Sequence, residues 1–161
     1  METLDPQLEI AQLIATLGLE PHPEGGYFRR FHESRQQVHV DGAPRPALTA
    51  IHYLLAPGER SRWHRVDADE TWHWQQGGTL ELERYDAANG ALSRHRLAPT
   101  PAGDGTSCIV PAGQWQSAHA GGAAVLVVCT VAPGFVWEGF ELLDPASKIG
   151  RELWRRGAVQ R

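Results

Sequence analysis

Apolar positions along this chain repeat at two different spacings. Over residues 6–17, Ile10, Leu13, Ile14 and Leu17 recur three and four apart, the stripe of an amphipathic helix. Asp5 reads as its N-cap, Pro6 as its first helical residue and Gly18 as its stop. From Tyr27 to His32 the period drops to two, with Tyr27, Arg29 and Phe31 on one face and Phe28, Arg30 and His32 on the other. Thr49–Leu55 predicts a strand, and further short candidates follow at Arg62–Val66, Glu70–Gln75, Thr79–Tyr85, Leu92–Leu97, Ser107–Val110, Trp115–Ala118 and Ala124–Val131. Asn89-Gly90 marks a hairpin, Pro99–Gly105 a loop and Pro111-Ala112-Gly113 a tight turn. Residues 33–47, dotted with Pro44 and Pro46, read as a loop or hairpin, and Phe135–Leu143 as one more strand. The tail changes character: Asp144 or Ser147 caps a short helix carrying Ile149, Leu153 and Trp154, with Arg151, Arg155 and Arg156 on its wet side.

Many short strands with helices only at the ends predict an all-β sandwich or double-sheet jelly roll. At 161 residues the expectation is a single domain over 1–161, with its core about residues 19–143, an N-terminal helix at 6–17 and a helical tail at 144–161. The net charge of −4 leaves no electrostatic footprint for nucleic acid or an anionic membrane. Lys148 is the only lysine; a codon bias toward arginine accounts for that as well as anion binding does. The N-terminus is too polar for a secretory signal, and no run approaches the ~18 apolar residues of a membrane helix. Cys108 and Cys129 sit in apolar strand-like runs and read as inert core thiols, so a reduced, cytoplasmic protein is expected.

The candidate chemistry gathers between Gly58 and Gly78, which hold His64, Asp69, Glu70, His73 and three tryptophans, Trp63, Trp72 and Trp74. His64 and Glu70 on neighbouring strands, with indoles alongside, are how a small barrel builds a polar site in an apolar pocket. Before it, two prolines and two glycines around Glu24 predict an irregular turn leading into the Tyr27 strand. There Glu24, Tyr27 or Arg29 either reaches a ligand or belongs to a loop and edge strand.

Two motifs carry a family resemblance. Gly58, five residues, His64, three residues after Val66, Glu70, six residues and Gly77 match the first motif of the cupin superfamily. Gly105, Pro111 and Gly113 match the second. The ordered blocks HPEGGYFRR, LTAIHYLL, DETWHW, VPAGQW and APGF resemble the Cupin_5 branch over roughly residues 8–143. The resemblance implies a cupin double-stranded β-helix, usually dimeric, so a homodimer is expected. It implies no particular reaction.

Cupin metal sites use three histidines and a glutamate. Here Val66 stands at the second histidine and Gln116 at the third, leaving His64 and Glu70 as an incomplete ligand set for a divalent metal ion. Parity sends His73 away from Glu70, and no spacing argument brings in His119. Three functions follow. The first is a metal-independent isomerase or epimerase on a small carbohydrate- or nucleotide-like ligand, with His64 as general base, Glu70 or Asp69 fixing its tautomer, and Tyr27 or Tyr53 returning the proton. In that reading Trp72, Trp74, Trp115 and Phe135 wall the ligand, and Arg29, with Glu24 and Gln116, contacts it. The others are a non-catalytic small-molecule binding module and a metal-dependent oxygenase or isomerase with a degenerate site.

Overall fold

The computed structural model describes residues 6–158. It opens with helix α1 (Pro6–Leu17), closed by Gly18 in the left-handed region; the expected cap, Asp5, lies outside the described residues. Thirteen strands follow among the described residues: β1 (Glu20–Pro21), β2 (Tyr27–Glu33), β3 (Gln37–Val40), β4 (Ala43–Pro46), β5 (Thr49–Leu55), β6 (His64–Val66), β7 (Asp69–Gly77), β8 (Leu80–Asp86), β9 (Ala91–Leu97), β10 (Ser107–Val110), β11 (Trp115–Ala120), β12 (Val125–Ala132) and β13 (Phe140–Leu142). Helix α2 (Lys148–Arg155) is the last element among the described residues; of the two candidate caps it is Ser147 whose side chain accepts the Gly150 N–H.

Two antiparallel sheets face each other. One runs β1-β2-β5-β12-β7-β10 and the other β13-β6-β11-β8-β9, with β3-β4 as a separate hairpin. Chain neighbours alternate between the sheets: β7 lies in the first and its neighbours β6 and β8 in the second. That alternation is the jelly-roll connection. Inward positions of the strands supply the core: Tyr53, Leu55, Trp72, Leu80, Leu82, Val125, Val127 and Cys129 are all fully buried. On β8 Leu80 and Leu82 flank the exposed Glu81, and on β12 Val127, Cys129 and Val131 alternate with the half-buried Val128 and Thr130, because one face of each strand meets the opposite sheet.

The outward faces are covered in two places. Leu54 and Leu126 point away from the core and pack under α1 with Leu19, Leu13 and Ile14. Trp63, Tyr85 and Trp115 do the same on the other sheet, under α2 through Leu153 and Ile149. Phe135–Leu143 is not one strand. It breaks into a 3-10 turn, Trp137–Gly139, and then β13. Gly139 lies so close to Asp67 that a Cβ there would run into its carboxylate, and the Phe135–Phe140 segment lines one wall of the cavity in the barrel.

Candidate functional site

Glu70, Trp72 and Trp74 share the inner face of β7, but they meet different surroundings. Trp72 and Trp74 pack into the apolar core, while Glu70 faces a cavity of about 450 Å³ at the other end of the barrel. His64 from β6, Tyr53 from β5, Cys129 from β12 and Phe28 from β2 line the same cavity. The turn between β1 and β2 adds His22 and Glu24, and the Phe135–Phe140 segment adds Phe135, Trp137 and Phe140. The size suits a small ligand.

Glu24 enters because its turn is forced inward. Gly25 and Gly26 both adopt positive φ, +103° and +71°, and a Cβ on Gly26 would stand 2.7 Å from the Leu54 carbonyl. Only glycine lets the backbone approach β5 this closely. The turn is pinned by His22 N–H to Gly26 O and Gly25 N–H to His22 O, each 2.9 Å. Tyr53 Oη–H donates to Gly25 O at 2.6 Å, anchoring the turn from below.

Glu24 Oε2 then stands 3.1 Å from His64 Nε2, with both side chains buried. The ring's tautomer is set by its other nitrogen. Nδ1 lies 2.7 Å from the Arg62 carbonyl, which only accepts, so Nδ1 carries the proton and Nε2 presents its lone pair to Glu24. Burial pushes the His64 pKa down to about 4, with the Arg62 carbonyl opposing. Burial, reinforced by the nearby Glu70 charge, raises Glu24 well above the usual carboxylate range. Burial thus disfavours the charged form of each partner, and the 3.1 Å contact is one through which a carboxyl and an imidazole share a proton out of water.

Glu70 does not touch His64 by hydrogen bond. Its Oε2 accepts from Gln116 Nε2 at 2.6 Å, and the Cys129 thiol donates to it as well. Gln116 is itself oriented, since its Oε1 accepts from Trp72 Nε1 at 2.7 Å. Burial lifts the Glu70 pKa to about 7, the two donors holding it back. The site therefore carries a carboxyl poised near neutral pH and, beside it, a proton-bearing Glu24–His64 pair.

Several expected members lie elsewhere. Tyr27 packs under α1 with Leu54, and the Arg29 guanidinium lies over Gly18 at the end of α1. Their face of β2 is the outer one; it is Phe28 and Arg30 that face inward. Alternation then breaks at Phe31, a bulge, whose exposed ring stacks on His52 at 4.3 Å. Trp115 sits on the outer face of β11, under α2, with Arg65 over its ring. Trp72 and Trp74 are core, their indole N–H groups spent on Gln116 and Gly78. Phe135 does line the cavity. Asp69 is exposed and caps the Ala112 N–H, and His73 meets Thr130 on the outer face. The aromatic part of the cavity wall is thus the phenyl rings of Phe28, Phe135 and Phe140 and the Tyr53 phenol, with Trp137 its single indole among the described residues. Sequence reasoning passed over His22, Arg30, Trp137 and Phe140. The signal for the first lay in the spacing of His22 and Glu24 before two glycines, which puts both side chains on one tight turn.

The donor set does not fit a divalent metal ion. Val66 lines the cavity where a ligand would stand, Gln116 has both its amide atoms committed, and Glu24 occupies the lone pair of His64. Among the described residues no three His, Cys, Asp or Glu side chains are grouped to hold one.

The sequence profile of the Cupin_5 family, described as Cupin superfamily (DUF985), matches residues 11–143. The chain belongs to the Cupin_5 family. No curated protein matches its sequence. Among solved structures, this Cupin_5 chain is similar to a hypothetical protein from Leishmania major, at 29% identity over 92% of this chain and 93% of that one, with a TM-score of 0.79. It is similar to a Shewanella oneidensis protein at 28% identity, 99% coverage of both chains and a TM-score of 0.80. A Klebsiella pneumoniae protein with a double-stranded β-helix domain aligns at 20% identity over 81% of this chain and 94% of that one, with a TM-score of 0.54, a likeness that shows the fold alone. The Cupin_5 chain is thus an all-β double-stranded β-helix with a short helix at each end. No helix among its described residues is long and apolar enough to cross a membrane.

Proposed function

We propose that this Cupin_5 protein binds a small polar, carbohydrate-like carbonyl compound in its lumen and moves a proton on it, as an isomerase or epimerase. The observation that supports this reading is the Glu24–His64 contact of 3.1 Å within the cavity that Glu70 also lines. His64 alone is a weak base, with its pKa near 4 and its Nε2 already engaged. Glu70, half ionised near neutral pH, is the better acceptor, and Glu24–H is the donor. In the proposed step the Glu70 carboxylate takes the proton from a carbon next to the carbonyl. The C–H electron pair becomes the carbon–carbon double bond of an enediolate, and the negative charge moves onto the carbonyl oxygen. Glu24, backed by His64, gives a proton to carbon: the double-bond pair forms the new C–H bond and the oxygen's charge re-forms the carbonyl. The proton gained by Glu70 and lost by Glu24 is exchanged with water before the next turnover. Tyr53 is assigned the holding of Gly25, since its hydroxyl is donated there and burial raises its pKa.

The test is a thermal-shift panel of aldoses, ketoses, uronates and nucleotide sugars, followed by mass spectrometry of the stabilising compound after incubation in D₂O. Uptake of carbon-bound deuterium by wild type, abolished in Glu70→Gln, supports the proposal. Stabilisation without uptake leaves the second reading, a binding module, which the self-satisfied Glu24–His64 pair favours. The same proposal takes the chain as one domain and as a cytoplasmic homodimer. The free thiols of Cys108 and Cys129 support the compartment. Half-exposed Phe31 and Ile109, on one outer sheet face, support the pairing, which sedimentation velocity reads directly.

A further inference from the structure

His22 is the one buried imidazole of the cavity to which the proton-transfer reading gives no task, and its geometry is specific. Its side chain keeps 7% of its accessible surface. It is clamped by rings on several sides: Phe28 at 4.5 Å, Trp137 at 5.7 Å, and Tyr53 and Phe140 at 5.9 Å. Its Nδ1 accepts the Glu24 backbone N–H at 3.1 Å. An imidazole that accepts at Nδ1 and stays neutral carries its single proton on Nε2. No described protein group accepts from that Nε2–H, although the ring lines the cavity. Its Nδ1 also lies 3.7 Å from Glu24 Oε2, so the ring adjoins the proton-carrying pair.

We propose that His22 is the lumen's electrophile: its Nε2–H donates to the carbonyl oxygen of a small α-hydroxy carbonyl compound and holds the negative charge that develops there. The inference rests on the proton-transfer reading above and names the functional group that the site selects. A neutral imidazole suits this role better than an imidazolium, because its N–H is matched to an enediolate oxygen and does not surrender its proton to it. Burial, with a contribution from His64, keeps the His22 pKa near 4, in agreement with that neutral form. Glu24, His64 and Tyr53 are the titratable groups against the ring, and burial favours the uncharged form of all three.

The test is nitrogen-15 NMR of histidine-labelled protein, with His22 assigned through His22→Phe, during titration with dihydroxyacetone and, separately, with glycerol. The expected result is a His22 ring protonated on Nε2 and bare on Nδ1. Its Nε2 signal moves saturably with dihydroxyacetone and not with glycerol, which lacks the carbonyl. A proton on Nδ1, an equal response to both compounds, or no response to dihydroxyacetone overturns the inference. Deuterium uptake at the dihydroxyacetone carbons, followed in parallel in D₂O, separates the two proposals. Uptake falls about 10²–10³-fold in His22→Phe if an oxyanion donor is lost, and His22→Gln, which keeps an N–H donor, retains more. Uptake unchanged in a folded His22→Phe refutes the His22 role and leaves proton transfer standing. A selective His22 shift with no uptake in wild type refutes proton transfer and leaves His22 as the carbonyl's anchor.

Discussion

Replacing Glu70 by glutamine tests the electrostatics of the lumen without needing any ligand. Glu70 is buried, and its pKa rises from 4.5 to about 7 on folding. A carboxyl with a raised folded pKa keeps its proton where the unfolded chain has already released it. Its contribution to stability is therefore whole below pH 4.5 and is lost progressively as pH climbs through the folded value. At about 1.4 kcal/mol per tenfold change in proton affinity, the full rise corresponds to ~3 kcal/mol, of which roughly 2–3 kcal/mol falls between pH 5 and pH 8. His22 and His64 act in the opposite sense. Their folded pKa values are depressed to about 4, so they favour unfolding at low pH and cease to do so as pH rises past 6.5. The raw pH profile mixes these trends, whereas the difference between Glu70→Gln and wild type reports the Glu70 carboxyl together with its coupling to Glu24, whose pKa the Glu70 charge helps to raise. Glutamine keeps an oxygen for the Gln116 N–H and carries no titratable proton. Urea unfolding followed by tryptophan fluorescence, at unit steps from pH 5 to pH 8, should show the variant gaining on wild type by roughly 2–3 kcal/mol across that range. Parallel profiles would show that Glu70 titrates like a solvated carboxylate, and its low-dielectric setting would be refuted.

Trp72→Phe leaves the Gln116 Oε1 without its 2.7 Å donor in a fully buried position and should cost ~1–3 kcal/mol of unfolding free energy, read by the same urea titration. In Gly26→Ala the new Cβ meets the Leu54 carbonyl at 2.7 Å and the residue must hold φ +71°; the expectation is at least ~1 kcal/mol of lost stability, with the Glu24–His64 contact displaced and the His64 nitrogen-15 signals shifted. Arg45→Met strands Asp67, which now takes two guanidinium contacts at 3.0 and 3.1 Å, and frees the Gly134 carbonyl; because Asp67 is half exposed, ~1–3 kcal/mol is expected in place of the larger loss of a fully buried pair.

Local periodicity decided most of the architecture of this chain. The stripe of Ile10, Leu13, Ile14 and Leu17, the alternation along Tyr27–His32, and short apolar runs such as Thr49–Leu55 bounded by turn residues are enough to place helix and strand. Glycine and proline marked the turns for the same local reason, and the spaced motifs pointed to the barrel and its family. The phase of those faces was beyond local pattern. Tyr27 and Arg29 alternate as regularly as Phe28 and Arg30, yet α1 covers the first pair and the lumen takes the second. Likewise Glu70, Trp72 and Trp74 share one face, and only their distance along the barrel separates a carboxyl in a cavity from indoles in a core. The partner of His64 was the least legible feature. Glu24 arrives from a turn in another part of the chain, carried inward by two glycines packed against β5, and His22 comes with it. A contact between distant segments depends on how two sheets close around each other, a long-range outcome that no window of sequence contains.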